Sequence, residues 1–272
     1  MSETRLQMED VAFRRGDSVV LDGIDWQVRA GEHWAVLGPN GCGKTTLMMV
    51  ATGYVPSSRG RVFLLDGYMS EIALPRVRQR VGLASAALHD HMLRHRRKTS
   101  GLEVVLGGRH ASLGLFRRPS SEELSRAEDL LEQFGAADLR DVTFDLMSTG
   151  QRQRCMVARS YMAESDLVIL DEPCAGLDIA ARENLLRALR RECRRHADTP
   201  HILVTHHPSE IVPEITHVLL LRDGRVVARG PKEEVLTGSN LEETYRMPLR
   251  VIRDDGRVWV LPGGASGDIH GG

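Results

Sequence analysis

Apolar positions alternate through the first part of the chain. From Leu6 to Val28, short β-like runs are separated by Gly16-Asp17 and Asp22-Gly23, which predicts an antiparallel sheet with tight turns. His33-Trp34-Ala35-Val36-Leu37 is a denser run that stops at Gly38, the pattern of a strand buried on both faces. Val62-Phe63-Leu64-Leu65, before Asp66-Gly67, predicts a further strand. A more polar stretch from about 88 to 145 follows. It contains one clear helix near Glu122–Phe134, with Leu124, Ala127, Leu130, Leu131 and Phe134 at helical spacing and Ser121 placed to cap it. Apolar strands return at Leu167–Leu170, His201–Thr205 and His217–Leu221. Between the first two lies a helix whose inner stripe is Leu185, Leu186, Leu189 and Cys193 and whose outer side carries Arg190, Arg191, Arg194 and Arg195. Asp223-Gly224 and Asp255-Gly256 are two-residue hairpin turns between β-branched flanks. Strand, loop and helix in this order predict a parallel-sheet α/β core, with a flexible tail over 263–272.

Composition narrows the picture. A chain of 272 residues is one large domain, or one domain with an insertion. The 36 Lys+Arg balance 37 Asp+Glu, so no global field draws it to nucleic acid or an anionic membrane. Aromatics at 4% argue against a stacking-based single-strand binder. The longest apolar runs, such as Val218–Leu221, fall far short of the roughly 18 residues of a membrane span, and Met1–Arg5 open no apolar secretory segment. Cys42, Cys155, Cys174 and Cys193 lack CxxC spacing and read as reduced thiols. The expectation is a soluble cytoplasmic protein.

Two segments carry recognisable chemistry. Gly38-Pro39-Asn40-Gly41-Cys42-Gly43-Lys44-Thr45 fits G-x-x-x-x-G-K-[ST] between a strand and a helix. Its glycines let backbone N–H groups turn around a phosphate, Lys44 reaches the β- and γ-phosphates, and the Thr45 hydroxyl can ligate Mg²⁺. Leu167-Val168-Ile169-Leu170-Asp171-Glu172 is a buried strand whose two acids emerge at its C-terminal end, where α/β sheets bind ligands. Asp171 is placed to hold Mg²⁺ through water, and Glu172 to polarise an attacking water as general base.

A third segment selects among P-loop families. Leu146-Met147-Ser148-Thr149-Gly150-Gln151 lies about 21 residues before Asp171 and opens an arginine-rich helix. With Gly176-Leu177-Asp178 and Val204-Thr205-His206 following in order, residues 5–240 resemble the ABC ATPases. Asp171–Asp178 and Val204-Thr205-His206-His207 are similar to the molybdenum-transport and photorepair-like branch of that family. The resemblance implies a RecA-like P-loop NTPase core with an antiparallel β-subdomain and an α-helical subdomain inserted near 88–145. A C-terminal β-hairpin extension over 241–262 would follow.

It further implies that the chain binds Mg-ATP and hydrolyses it. Gly38, Pro39, Asn40, Gly41, Cys42, Gly43, Lys44, Thr45 and Thr46 would bind the nucleotide, and Thr45 and Asp171 the metal. Glu172, His206 and Lys44 would be catalytic. His206 would contact the γ-phosphate and hold Glu172 and the water in line. Ser148, Gly150 and Gln151 would present a helix N-terminus to the nucleotide of a second cassette, with Asp178 at the seam. The expected partners are a second copy in a head-to-tail dimer and separate membrane-spanning transporter subunits, which would place the chain on the inner face of the membrane. The alternative is an ABC ATPase acting in DNA repair or translation. A P-loop GTPase lacks support, because there is no Asn-Lys-x-Asp segment.

Four positions depart from the family pattern. Arg15 stands where an adenine-stacking aromatic is usual; a guanidinium can stack on a base, and alternation with Val11 sends Phe13 toward the core. Ala86 replaces the Q-loop glutamine, Thr149 a signature glycine, and Ala175 a D-loop serine. His91 and His95, beside His89 and Asp90, form at most a weak metal face. The basic run Arg94–Lys98 reads as a solvated surface, and Cys42 as a small neutral P-loop residue.

Overall fold

The computed structural model describes residues 3–85, 99–111 and 118–263. Its first sheet is antiparallel, in the order β2-β1-β4-β5. β1 (Thr4–Arg15) and β2 (Ser18–Arg29) pair around the Gly16-Asp17 turn, and β4 (Arg59–Leu64) and β5 (Gly67–Tyr68) complete it. Asp22-Gly23 is not a turn. β2 runs straight through it, and the pairing slips between Val11↔Ile24 and Phe13↔Leu21, with Gly23 at φ +61°. The glycine absorbs a β-bulge, which bends the long hairpin without ending the strand.

The second sheet has six strands in the order β10-β9-β3-β8-β7-β6. β3 (Trp34–Leu37), β6 (Val81–Ala84), β7 (Leu167–Asp171), β8 (His201–Thr205) and β9 (His217–Arg222) are mutually parallel. β10 (Arg225–Pro231) returns antiparallel through Asp223-Gly224, both residues at positive φ as a tight primed turn demands.

Strand alternation divides this sheet between two cores. Trp34, Val36, Leu167, Ile169, Ile202, Val204, Leu219 and Leu221 face the antiparallel sheet and helix α1 (Lys44–Ala51). Ala35, Leu37, Val168, Leu170, Leu203, Val218 and Leu220 face the opposite way, toward the larger helical core. Phe13 is half-buried against the first of these cores. The short helix α2 (Leu74–Arg78) precedes β6.

Three helices pack into the second core: α3 (Gly101–Gly107), α4 (Ser121–Gln133) and α5 (Thr149–Ser160). Ser120, not Ser121, caps α4. The Ser120 hydroxyl accepts from the Glu123 amide while the Glu123 carboxylate accepts from the Ser120 amide. Only Ser120 has a Glu three residues on at the N3 position, so the reciprocal pair fixes the helix start one residue earlier. α6 (Ile179–Arg195) buries Leu185, Leu186, Leu189 and Cys193 as its stripe requires.

The chain ends with α7 (Lys232–Val235), α8 (Gly238–Tyr245) and the hairpin β11 (Leu249–Asp254) and β12 (Arg257–Pro262). Residues 240 and 241 both lie inside α8, and Leu241 and Val258 are buried in the same core as the six-stranded sheet. Ala86, His89, Asp90, His91, His95, the run Arg94–Lys98 and the tail 264–272 lie outside the described residues. No helix of the described residues is long and apolar enough to cross a membrane.

Candidate functional site

The candidate residues gather at the C-terminal ends of β3, β7 and β8, the edge at which parallel strands leave loops free to shape a site. The loop from Gly38 to Gly43 leaves β3 and enters α1. Gly43 sits at φ +107°, a conformation only glycine adopts without strain, and lies against Leu21 and the Val20 carbonyl of β2. The amides that begin α1 therefore open toward the loop's interior, where a helix start favours an anion. Lys44, Thr45 and Thr46 form its first turn. Lys44 is buried, and its ammonium donates to the Gly38 carbonyl at 2.8 Å and the Pro39 carbonyl at 3.1 Å. Cys42 is buried, and desolvation pushes its thiol above the ordinary range, so it is a compact neutral wall of the loop. Asn40 and Gly41 are exposed at the loop's tip.

Asp171 ends β7 with its side chain almost wholly buried. Burial raises its pKa to about 6; the neighbouring Thr45 hydroxyl and Lys44 pull downward and Glu172 pushes upward. Both carboxylate oxygens are buried, and neither makes a well-formed hydrogen bond among the described residues. A buried, unsatisfied carboxylate beside a threonine hydroxyl is an oxygen donor set of the kind Mg²⁺ takes, and the cation's charge would offset the desolvation. The residues present therefore fit Mg²⁺.

Glu172 follows at φ +52°, a left-handed backbone uncommon outside glycine. Its amide donates to the Val204 carbonyl at 2.9 Å, and its own carbonyl accepts from Gln153 Nε2 at 3.0 Å. Its carboxylate is shared. Oε1 lies 3.6 Å from Lys44 Nζ and Oε2 lies 2.8 Å from His206 Nδ1. His206 stands just past β8 with its ring against His207, centroids 3.8 Å apart. Behind it, the Thr205 hydroxyl accepts from the His207 amide and donates to the buried Glu210 carboxylate. Lys44, Asp171, Glu172 and His206 thus occupy one site, although 162 positions of sequence separate the first from the last.

The signature segment forms a separate surface. Ser148 caps α5 through a capping box with Gln151: the serine hydroxyl accepts from the Gln151 amide, and the glutamine oxygen accepts from the Ser148 amide at 2.8 Å. The Gln151 side chain is therefore turned back on its own helix start. Gly150 is buried against the loop after β7, where an added Cβ would stand 2.7 Å from the Gly176 carbonyl. Thr149 packs beside Gly176 as well, so the departure from glycine there is absorbed inside the fold. Asp178 is exposed and caps α6, accepting from the Ala181 amide at 2.8 Å. Leu146 and Ile179, 79% and 74% exposed, flank this surface, an unusual exposure for large aliphatic side chains. Arg15 is exposed at the end of β1, and no hydrogen bond or ion pair holds its guanidinium among the described residues.

Sequence reasoning missed three contacts. Gln153 reaches the Glu172 carbonyl, Tyr245 Oη lies 3.3 Å from the His206 carbonyl, and Arg257 grips the Ser209 carbonyl just beyond it. No local pattern marks them, because each depends on a partner 19 to 48 residues away. A buried group of possible ligands, His33, Cys193 and His201, sits at the opposite end of the strands. There His33 Nδ1 accepts from the His201 amide, so its lone pair is already engaged.

The ABC transporter family profile matches residues 21–175. The chain is 36% identical over 257 residues to an uncharacterized ABC transporter ATP-binding protein, YlmA, of Bacillus subtilis, covering 94% of this chain and 96% of that protein. It is 32% identical to the manganese transport system ATP-binding protein MntB of the same organism, covering 92% and 95%. Among solved structures, it is similar in fold to a dimeric ATP-binding cassette in a post-hydrolysis state bound to ADP and Pi, with a TM-score of 0.70 and 19% identity over 83% of this chain and 98% of that one. A phosphate loop, two acids at the C-terminal end of β7 and a helix-capping serine before them in sequence thus coincide with full-length relatives of one kind, and the chain belongs to the ABC transporter family as an ATP-binding, ATP-hydrolysing cassette.

Proposed function

We propose that this cassette energises a membrane transporter by closing head-to-tail on a second copy of itself, with ATP held between the two. The observation that carries this reading is the shared carboxylate of Glu172, which lies between the phosphate-loop lysine and His206. In this reading the loop Gly38–Thr46 cradles the phosphates, and Lys44 moves from the loop carbonyls to their charge. Thr45 and Asp171 hold Mg²⁺, which supplies charge neutralisation on the phosphate oxygens when bound. Glu172 takes the proton of the attacking water, and His206 fixes the carboxylate's orientation while facing the γ-phosphate. Arg15 stacks on the base.

Ser148 and Gly150 serve the partner's nucleotide. Ser148 is exposed at their helix start, and Gly150 packs against Gly176 in the loop after β7. The exposed Leu146 and Ile179 beside it, and the dimeric cassette of similar fold, support a seam at this surface. Separate membrane-spanning subunits complete the assembly and hold this chain on the inner face of the membrane, consistent with relatives that are subunits of transport systems. The segments Asp171–Asp178 and Val204–His207 support assignment to the molybdenum-transport and photorepair-like branch. No observation favours the repair or translation reading. Purification of the tagged chain from detergent-solubilised membranes tests the proposal: a multi-spanning protein should co-purify in fixed stoichiometry, and recovery of the cassette alone or with ribosomes or DNA would overturn it.

A further inference from the structure

The loop that carries His206 is held from outside the nucleotide-binding core. Tyr245, the last residue of α8, donates its hydroxyl to the His206 carbonyl at 3.3 Å. Arg257, the first residue of β12, donates through Nε to the Ser209 carbonyl at 3.0 Å and through Nη2 to the same oxygen. The same guanidinium is fixed on its other side by Glu183 of α6, at 2.7 Å and 3.2 Å. A forked cation satisfied by a carboxylate and a carbonyl together is a rigid bracket, because guanidinium geometry leaves little freedom once both edges are bound. Val258, next to Arg257, is buried, and the turn residue Gly256 packs on Pro213, so the bracket has a firm base. α8 is itself tied to the β9–β10 hairpin, through Arg246 to Asp223 at 2.6 Å and Arg222 to the Glu243 carbonyl.

These contacts converge on five residues, His206 to Glu210, which include the imidazole bonded to Glu172. We propose that the C-terminal segment is a positioning clamp for hydrolysis, in which Tyr245, through the His206 carbonyl, and Arg257, through the Ser209 carbonyl three residues on, hold the loop so that the His206 imidazole stays on the Glu172 carboxylate. The proposal rests on the reading of Glu172 and His206 as the hydrolytic pair. Neither Tyr245 nor Arg257 touches the nucleotide in this account; both are positioning residues. Burial raises the Tyr245 hydroxyl well above its ordinary pKa, with the Glu172 carboxylate nearby adding to the effect, so it remains a hydrogen-bond donor throughout the physiological range. A clamp built from a segment after the last core strand also gives a partner a handle. Anything that pulls the hairpin from α6 loosens the hydrolytic pair without reaching the phosphate loop.

The test is ATPase kinetics on the full chain with Tyr245→Phe and Arg257→Gln, alone and in a His206→Ala background under single-turnover conditions. Tyr245→Phe keeps the ring and removes one hydrogen bond, so folding is preserved. The expected result is a kcat lower by about 3- to 10-fold with KM for ATP changed by less than about twofold, the scale of one such bond. No further loss should follow once His206 is already Ala, since residues that act through one another are not additive. Wild-type kcat in both single variants, with His206→Ala strongly impaired, overturns the clamp and leaves the hydrolytic pair standing. An equal loss from Tyr245→Phe with and without His206 also overturns the clamp, because the hydroxyl would then act by another route. Full activity in His206→Ala itself removes the reading on which the clamp rests.

Discussion

Glu172 and His206 are joined by a 2.8 Å contact between Oε2 and Nδ1, and the same carboxylate lies 3.6 Å from the Lys44 ammonium. A carboxylate held on both sides can be displaced by loss of either neighbour, so charge and orientation at this group separate in mutants.

Glu172→Gln keeps the shape and removes the proposed base. ATP binding should be retained and turnover should fall by roughly 10²-fold or more. Size-exclusion chromatography with ATP should then show a trapped dimer; a variant that hydrolyses at the normal rate would remove Glu172 as the base.

Lys44→Ala should abolish tight ATP binding. It removes the full charge at the phosphate loop and frees the Gly38 and Pro39 carbonyls that the ammonium now satisfies. Equilibrium binding of labelled ATP measures this directly, and unchanged affinity would contradict the assignment.

Ser148→Arg should block hydrolysis while leaving ATP binding to the monomer intact, because in the proposed dimer the α5 start serves the opposite nucleotide. Mixing this variant with Lys44→Ala should restore one working site in each mixed dimer, about half of the dimers in an equal mixture. Absence of any recovery in the mixture, with both variants folded, would contradict the head-to-tail arrangement.

Asp171 gives a pH dependence of stability whose sign is fixed. Its folded pKa, near 6, lies above the usual 3.8, so the folded state holds the extra proton. Its contribution is fully favourable below about pH 4 and is lost as pH rises through 6, at a cost of about 3 kcal/mol at most. Asp171→Asn should therefore raise the Tm of the nucleotide-free protein at pH 7.5, remove the loss between pH 4 and 6, and abolish Mg²⁺-dependent hydrolysis. Thermal melts across that range decide it; parallel curves for the two proteins would mean the carboxylate is not the source.

All four cysteines are buried and free. Desolvation raises the thiol pKa of each, to about 12 for Cys155 and Cys193. Native protein should thus react with a thiol reagent at pH 7 only as fast as it opens, and four thiols should appear on denaturation. Rapid labelling of Cys42 would show that the phosphate loop is looser than its packing indicates.

How much of this could be read beforehand follows from the range of each signal. The apolar runs ending at Gly38 and Asp171 were legible because a strand buried on both faces must be apolar throughout. The helix before Phe134 was legible from its period, but its start slipped by one, since Ser120 and Ser121 look alike until Glu123 selects between them. Asp22-Gly23 has the composition of a turn and serves as a bulge; which one forms depends on the pairing with Val11 and Phe13 across the hairpin. At the site, the motif residues were readable from spacing, whereas Gln153, Tyr245 and Arg257 were not. Their partners are backbone carbonyls, which leave no trace in residue type.

The left-handed backbone at Glu172 has one more consequence. In an unbroken strand, neighbours point to opposite sides, so two consecutive acids could never serve one pocket. The reversal at φ +52° cancels that parity and brings Glu172 to the Lys44 side on which Asp171 already lies. The pair of adjacent carboxylates is thus a product of main-chain shape as much as of side-chain chemistry. A β-branched residue at 172 would fail by straightening the chain before its missing acid mattered. Only replacements that tolerate the reversed backbone report on proton transfer alone.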